Sequence, residues 1–124
     1  MKPYEFEQLV CDHYRQKGYR VQTTSASNDY GIDVFAEKKG EKIAVQVKMY
    51  GGSTRKVNRQ TMMELYGAAA YFDCTKAVLA TDGEVLTDAK EVAHKLGIDI
   101  LFIQPDRKIS MPSASSAEWS LADI

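Results

Sequence analysis

The segment from Gly31 to Met49 places the strongest constraint on the fold, because two runs of alternating residues flank a short turn. Core-type and other side chains alternate from Ile32 to Lys38 and again from Lys42 to Met49. This period of two is typical of half-buried β-strands. Lys39 and Gly40, between the two runs, suit a two-residue hairpin turn. The segment therefore predicts an antiparallel hairpin.

The turn also predicts the pairing register of the hairpin. Counting outward from a two-residue turn sets Asp33 opposite Gln46, and directly opposed residues point to the same face. Lys48 shares that face with Gln46, because it lies two residues further along the strand. We predict a polar triangle of these three side chains, within about 5–8 Å of one another. The other face of the first strand carries Ile32, Val34 and Ala36.

The rest of the chain predicts elements that complete a sheet around this hairpin. The resulting order is αβββαβαβ, which predicts an α/β fold with a mixed β-sheet of about five strands flanked by helices. Thr87 suits the N-cap of the third helix. We predict helices over Pro3–Lys17, Val57–Phe72 and Thr87–Leu96, and further strands over Tyr19–Thr24, Lys76–Thr81 and Ile98–Gln104.

Composition favours one domain followed by a tail. A chain of 124 residues is in the commonest size range for a single domain. After Pro105 the composition changes, and the sequence PSASSA over 112–117 is typical of a linker. We predict a folded domain over 1–104 and a C-terminal tail over 105–124, which is a linker or docks on a partner domain or subunit.

The same composition indicates a cytoplasmic protein with no membrane partner. No apolar run approaches the roughly 18 residues of a membrane span, and the start of the chain lacks the apolar region of a signal peptide. Cys11 and Cys74 have neither metal-ligand spacing nor other cysteines nearby. We expect them to be reduced thiols.

Charge is distributed unevenly along the chain. The net charge is −1, which does not suggest a generally basic nucleic-acid binder. The segment over 42–63, however, has no acid and five basic residues, so the remainder of the chain sums to −6. Such a segment can form a local anion-binding face. Its basic residues are Lys42, Lys48, Arg55, Lys56 and Arg59.

The predicted triangle has the chemistry needed to hydrolyse a phosphodiester. Asp33 offers hard oxygen ligands of the kind that Mg²⁺ prefers, and the metal would polarise the phosphate and activate a water. Lys48 can orient that water or neutralise charge in the transition state, while Gln46 can position a water or coordinate the metal. A second carboxylate is needed, and Glu7, on or beside the apolar stripe of the first helix, is the available one.

A structural interpretation competes with this one. Alternation alone is explained by an ion pair between Asp33 and Lys48 on a solvated face of the sheet, and Glu7 by a glutamate at the boundary of the core. The basic residues Arg55 and Lys56, with Arg59, are on that view a solvated charge run. They nevertheless follow Lys48 closely, where a phosphate backbone would pass.

The chain resembles the Mrr-type catalytic domain, a branch of the PD-(D/E)XK nuclease superfamily in which Gln-x-Lys replaces the more usual (D/E)-x-K. The superfamily also contains restriction enzymes and archaeal Holliday-junction resolvases. The resemblance covers about residues 3–102. It is carried by Phe6-Glu7, Gly18-Tyr19, Asp29 to Asp33, Val45 to Lys48 and Leu65 to Ala69.

The resemblance implies a role for each matching polar residue. Asp33 is the metal-binding acid, Gln46 and Lys48 complete the strand motif, and Glu7 is the acid carried by the helix. Val47 contributes its backbone carbonyl to the metal. The implied cofactor is Mg²⁺, with Mn²⁺ as a substitute, the implied substrate is DNA, and the implied assembly is a homodimer.

The sequence thus predicts a metal-dependent DNA endonuclease of the Mrr-like restriction or defence type. Two alternatives stay open. One is a structure-specific nuclease of the Holliday-junction-resolving kind, which would use the same site. The other is a nucleic-acid-binding or assembly module that has the fold and does not cleave. Base preference and methylation preference do not follow from the sequence.

Overall fold

The computed structural model describes residues 1–24 and 30–104, and it confirms the predicted order of helices and strands. Residues 25–29 and the predicted tail over 105–124 lie outside the described residues. The elements are α1 (Pro3–Gln16), β1 (Arg20–Thr23), β2 (Val34–Lys38), β3 (Glu41–Lys48), α2 (Arg59–Tyr71), β4 (Lys76–Thr81), α3 (Thr87–Leu96) and β5 (Asp99–Phe102).

The five strands form one mixed sheet in the order β1-β2-β3-β4-β5. β1 pairs with β2 and β2 with β3 in antiparallel orientation, as expected for a meander, whereas β3 pairs with β4 and β4 with β5 in parallel orientation. Parallel neighbours need a crossover connection, and α2 and α3 supply the two crossovers. Strand β4 is buried on both faces after its first residue, as the near-continuous apolar sequence predicts.

Helix α1 covers one face of the sheet. Pro3 is its first residue, and Gly18 follows its end with a φ of 90°, a left-handed conformation that glycine adopts without strain. The apolar stripe of the helix is buried against alternate residues of β2 and β3, including Val34, Ala36 and Val45. The buried residues of α1 are Phe6, Val10, Cys11 and Tyr14.

Helices α2 and α3 cover the opposite face. Met62 and Leu65 of α2 are fully buried, and the small residues Ala68 and Ala69 let the helix approach the sheet closely. Neither these helices nor any other within residues 1–24 and 30–104 is long and apolar enough to cross a membrane.

The hairpin turn has the predicted form. Lys39 and Gly40 have φ values of 47° and 82°, the positive pair that defines a type I′ turn. The ladder starts with Lys38 opposite Glu41 and runs to Val34 opposite Val45. The predicted register is therefore confirmed over the length of β2.

The predicted face of Ile32 is wrong. Ile32 packs in the core beneath α2 and α3, whereas Val34 and Ala36 pack beneath α1. Val34 is opposite Val45 in the ladder, and the N–H of Asp33 also donates to the Val45 carbonyl at 2.8 Å. This two-against-one pairing has the character of a β-bulge, which interrupts the alternation of side chains.

The predicted N-cap of α3 is also wrong. Leu86 occupies the N-cap position without a side-chain cap, and Thr87 is the first helical residue. Backbone hydrogen bonds fix the chain here: Leu86 N–H donates to the Val57 carbonyl at 3.0 Å, and Val57 N–H donates to Glu84 at 2.9 Å. This bridge holds Leu86 extended, so the first helical residue is Thr87, one residue earlier than an N-cap at Thr87 predicts.

Candidate active site

The candidate site lies where the ladder between β2 and β3 opens. Strand β3 continues beside β4 as far as Lys48, which is opposite Thr81, whereas β2 begins only at Val34. Asp33 lies in this opening. Its main-chain N–H donates to Val45, and its carboxylate accepts the N–H of Val47 at 2.7 Å. Asp33, which we predict opposite Gln46, therefore lies outside the regular ladder. It hydrogen-bonds to Val45 and Val47, the residues on either side of Gln46.

The Val47 carbonyl points toward the same opening. In an antiparallel ladder the N–H and C=O of a residue point to the same neighbouring strand. Because the Val47 N–H donates to Asp33, its carbonyl faces the β2 side, where the ladder has ended. This geometry leaves the Val47 oxygen on the side of the Asp33 carboxylate.

Glu7 joins the site from α1. It is half-buried beside the stripe that packs on β2 and β3. Burial raises the pKa of Glu7, and the negative charge of Asp33 raises this pKa further. Two carboxylates far apart in the sequence are therefore close enough in the fold to repel each other.

Asp33 experiences opposing influences. Burial raises its pKa, and this effect exceeds the lowering by the Val47 N–H and by the positive charge of Lys48. Lys48 acts across a gap, since no ion pair within 4.0 Å joins it to Asp33 in the described residues. The cross-strand ion pair of the structural interpretation is therefore not formed, and the Lys48 ammonium acts on Asp33 only through its charge.

The backbone at Lys48 is held by β4. The hydroxyl of Thr81, which is fully buried, donates to the Lys48 carbonyl at 2.7 Å and accepts the N–H of Gly83 at 3.0 Å. Thr81 is thus a positioning residue that the sequence analysis missed. In the sequence, Thr81 is a single hydroxyl residue at the end of an otherwise apolar strand. Threonine is also common in strands, so its hydroxyl does not by itself indicate a positioning role.

Gln46 points to the other side of the sheet from Glu7. Its side chain is 7% exposed, and its Oε1 has no hydrogen-bond partner among the described residues. A Cβ on Gly31 would lie 3.0 Å from Nε2 of Gln46, so the amide packs against a glycine with a φ of 87°. Gln46 also lines a cavity beside α2. Charge interactions thus link Asp33 to Glu7 and, separately, to Lys48, while the Gln46 amide lines the cavity beside α2.

The grouped residues fit a hard divalent cation. Glu7 and Asp33 bring two carboxylates whose mutual repulsion a cation would relieve, and Mg²⁺ is usually held by one or two carboxylates together with waters. Within residues 1–24 and 30–104, no group of three or more His, Cys, Asp or Glu could hold a metal ion. A cation held by Glu7 and Asp33 would therefore have few side-chain ligands from the described residues.

The three predicted DNA-binding residues lie on the segment that leads from β3 into α2. Lys56 is 3.5 Å from a carboxylate oxygen of Glu84, and Arg59 is 3.1 Å from one of Asp88. Arg55 stacks on the Tyr50 ring at 4.5 Å from the ring centre, and in the described part of the chain no carboxylate pairs with it.

Asp82 anchors this segment, which sequence reasoning did not foresee. Its Oδ1 accepts the N–H groups of Tyr50 at 2.7 Å and Gly51 at 2.8 Å. Gly51 permits this approach because it has no Cβ, and a Cβ there would lie only 2.5 Å from Oδ2 of Asp82. The sequence indicates only a turn at Asp82, because the partner N–H groups follow a different strand.

Comparison with known proteins places the chain in a family and a fold. It is 34% identical over 98 residues to the uncharacterized protein y4cE of Sinorhizobium fredii, with 70% of this chain and 25% of that protein covered. The crystal structure of AF1548, a protein of unknown function, has a TM-score of 0.63 at 21% identity and covers 77% of this chain and 56% of that one. This chain therefore spans about a quarter of y4cE and little more than half of AF1548.

A third similar protein supports the same fold. The crystal structure of an XisH family protein from Nostoc punctiforme has a TM-score of 0.51 at 19% identity, over 86% of this chain and 96% of that one. The predicted mixed sheet of the restriction-endonuclease-like class is thus confirmed. The sequence model of the Mrr catalytic domain, described as a restriction endonuclease, matches residues 1–108. The chain therefore belongs to the Mrr catalytic-domain family of restriction endonucleases.

Proposed function

We propose that this chain is a metal-dependent DNA endonuclease of the Mrr-like restriction or defence type, which hydrolyses phosphodiester bonds. One observation carries the proposal. The carboxylates of Glu7 and Asp33 are close enough to repel each other at the opening of the β2–β3 ladder, and the positive charge of Lys48 acts on Asp33. Family membership supports the same class of reaction.

Glu7 and Asp33 would hold the cation, with the Val47 carbonyl as a third oxygen. Asp33 has one carboxylate oxygen, Oδ2, fixed by the Val47 N–H, so its position is set before the cation binds. Gln46 adds an unpaired oxygen on the α2 side of the sheet, where it is available to the substrate. When bound, Mg²⁺ or Mn²⁺ supplies Lewis-acid polarisation of the scissile phosphate.

Lys48 would supply positive charge at the reacting phosphate. Because it is not ion-paired with Asp33 in the described residues, its ammonium group is available to stabilise the negative charge that grows on the phosphate. It can also orient the attacking water. The hydrogen bond from Thr81 to its carbonyl fixes the point from which the side chain reaches.

The DNA backbone would follow the segment after Lys48. Arg55 offers a guanidinium group that is oriented by the Tyr50 ring, and guanidinium groups bind phosphates well. Lys56 and Arg59 would contact DNA at the expense of their partners on the opposite side, Glu84 and Asp88. Two copies in a homodimer would bring two such sites to the two strands of a duplex.

The test is cleavage of supercoiled plasmid in Mg²⁺, in Mn²⁺ and in EDTA. We expect nicking and linearisation only with a metal. Asp33→Ala and Lys48→Ala should each reduce the rate about 100-fold or more. Lys95→Ala, at an exposed position in the last turn of α3, should cut like the wild type. The proposal is wrong if the wild type does not cut with either metal, or if cutting survives both active-site changes.

Substrate choice separates this proposal from the resolvase alternative. Rates are compared on linear duplex, methylated duplex and a four-way junction. We expect the linear or methylated duplex to be cut at least as fast as the junction. A strong preference for the four-way junction would replace the restriction assignment by junction resolution, while the catalytic residues would stand.

A further inference from the structure

A cavity of about 620 Å³ lies beside the candidate active site, between the end of β3 and α2. Its volume is in the range of sites that bind small organic groups. Because Gln46 lines the cavity and is two residues before Lys48, the cavity opens where the proposed substrate strand would pass. Its walls include Tyr30, Gly31, Gln46, Glu64 and Tyr71.

The floor of the cavity carries an unpaired polar group. Gln46 is 93% buried, and its Oε1 has no hydrogen-bond partner among the described residues. A buried polar group without a partner is costly. A ligand that offers a donor would satisfy this oxygen, and the amide NH₂ can in turn donate to the ligand.

Two exposed tyrosine rings form the mouth of the cavity. Tyr30 is 64% exposed and Tyr71 is 67% exposed, and their ring centres are 5.2 Å apart at an angle of 69°. Both rings contact Phe72, which packs on Phe35 in the core. The tyrosine rings therefore pack on Phe72 on their inner side, while their outer surfaces are exposed to solvent.

The backbone that carries Tyr30 is strained. Its φ is 52°, which a bulky residue rarely adopts. Gly31 follows with a φ of 87°, and the pair turns the Tyr30 ring over the cavity. Strain of this kind is retained where the surrounding structure requires one side-chain position.

The charge at the rim selects the kind of group that can enter. Glu64 lines the cavity with a carboxylate, which repels phosphate and accepts hydrogen bonds from amino groups. Aromatic faces stack well on the flat faces of nucleobases, and an amide such as Gln46 matches the donor and acceptor edge of a base. The cavity thus suits a base and disfavours the backbone that carries it.

We propose that this cavity binds a nucleobase that has left its stack, with one of the two inclined rings of Tyr30 and Tyr71 stacking on its face, the other ring contacting its side, and Gln46 binding its polar edge. The inference deepens the proposed nuclease function and rests on it, because the strand held at Lys48 supplies the base. Base capture would hold the strand while the neighbouring phosphate lies at the carboxylates.

The test compares the affinities of two single-stranded oligonucleotides, one with bases and one of equal length that is fully abasic, by fluorescence anisotropy in EDTA. We expect the wild type to bind the base-containing strand at least about fivefold more tightly. Tyr71→Ala and Tyr30→Ala should bring this ratio close to one. Tyr4→Ala, which removes a tyrosine 70% exposed on α1, should leave the ratio unchanged.

The affinity ratio of the wild type for the two strands is measured without any variant, so poor folding of a variant cannot affect it. A wild-type ratio near one overturns the inference. The inference is also wrong if the cavity variants and Tyr4→Ala give the same ratio, or if Tyr71→Ala alters only the oligomeric state in sedimentation. Competition by a free deoxynucleoside monophosphate as strong as that of the strand would assign the cavity to free nucleotides and overturn strand capture. Plasmid cleavage is measured separately, so loss of the base effect with metal-dependent cutting intact refutes the cavity alone.

Discussion

Replacing Gly31 by alanine tests the contact that sets the position of Gln46. Gly31 and Gly40 have nearly the same left-handed φ, 87° and 82°. A Cβ on Gly31 would lie 3.0 Å from Nε2 of Gln46, whereas a Cβ on Gly40 would meet nothing within 4 Å. Gly40→Ala is therefore a matched control that carries the backbone cost without the contact.

The two free-energy costs can be worked out separately. A non-glycine residue in the left-handed region costs about 1–2 kcal/mol, and alanine returns about 0.4–1 kcal/mol by restricting the unfolded chain. Gly40→Ala should thus destabilise by about 1 kcal/mol. Gly31→Ala should cost about 1 kcal/mol more, because the buried Gln46 amide must leave its preferred rotamer. For a domain of this size the melting temperatures should fall by about 4 °C and 8 °C.

Thermal unfolding and plasmid cleavage are then measured on both variants. Gly40→Ala should cleave at the wild-type rate once folded, while Gly31→Ala should cleave more slowly at a temperature where both are folded. Combining Gly31→Ala with Gln46→Ala should remove the additional loss of stability. Equal melting temperatures and equal cleavage rates for the two glycine variants would refute the argument that Gly31 makes room for Gln46.

Three further predictions follow from the described contacts. Burial and Asp33 raise the pKa of Glu7, so the folded protein loses stability as pH rises from the ordinary carboxylate range through the raised value. Glu7→Gln should therefore raise the melting temperature in EDTA at pH 7.5 and leave it unchanged at a pH below that range. The control Glu5→Gln, at an exposed position on the same helix, should leave the melting temperature unchanged at pH 7.5. Asp82→Ala leaves two N–H groups without their acceptor and should lower the free energy of unfolding by about 2–3 kcal/mol, measured by urea titration; an unchanged midpoint would contradict this anchoring role. Arg55→Ala should weaken DNA binding and reduce the salt slope by about one, measured by anisotropy at several salt concentrations, and an unchanged slope would exclude a phosphate contact.

The sequence predicted the regular parts of the fold because local chemistry determines them. The left-handed pair at Lys39 and Gly40 fixed the hairpin register by counting alone. Helices α1 and α3 end within one residue of their predicted bounds, next to Gly18 and Gly97. These features depend on neighbours in the sequence, so the sequence is sufficient to find them.

The site was predicted less completely because its geometry depends on interruptions of the pattern. The bulge at Asp33 changes the face of Ile32 and breaks the direct pairing with Gln46. No residue type marks such a bulge in this chain, because Asp33 also fits the alternation. Glu7 could be placed beside the core from helical spacing, but its closeness to Asp33 follows only from the packing of α1 on the sheet.

The cavity beside Gln46 was not predicted at all. It is formed by residues from the turn before β2, the end of β3 and α2, which no local pattern connects. Tyr30 and Tyr71 fit equally well as surface tyrosines on a loop and a helix. Only their contact across the fold, at 5.2 Å, suggests a shared task.

Anomalous diffraction from a crystal grown with Mn²⁺ tests most directly the central claim that Glu7 and Asp33 share a divalent cation. We predict a manganese peak bonded to both carboxylates on the side of the Val47 carbonyl, and we predict that Asp33→Asn abolishes it. A fully occupied manganese peak elsewhere in the molecule, with none between Glu7 and Asp33 in a preparation that cleaves DNA, would contradict the account.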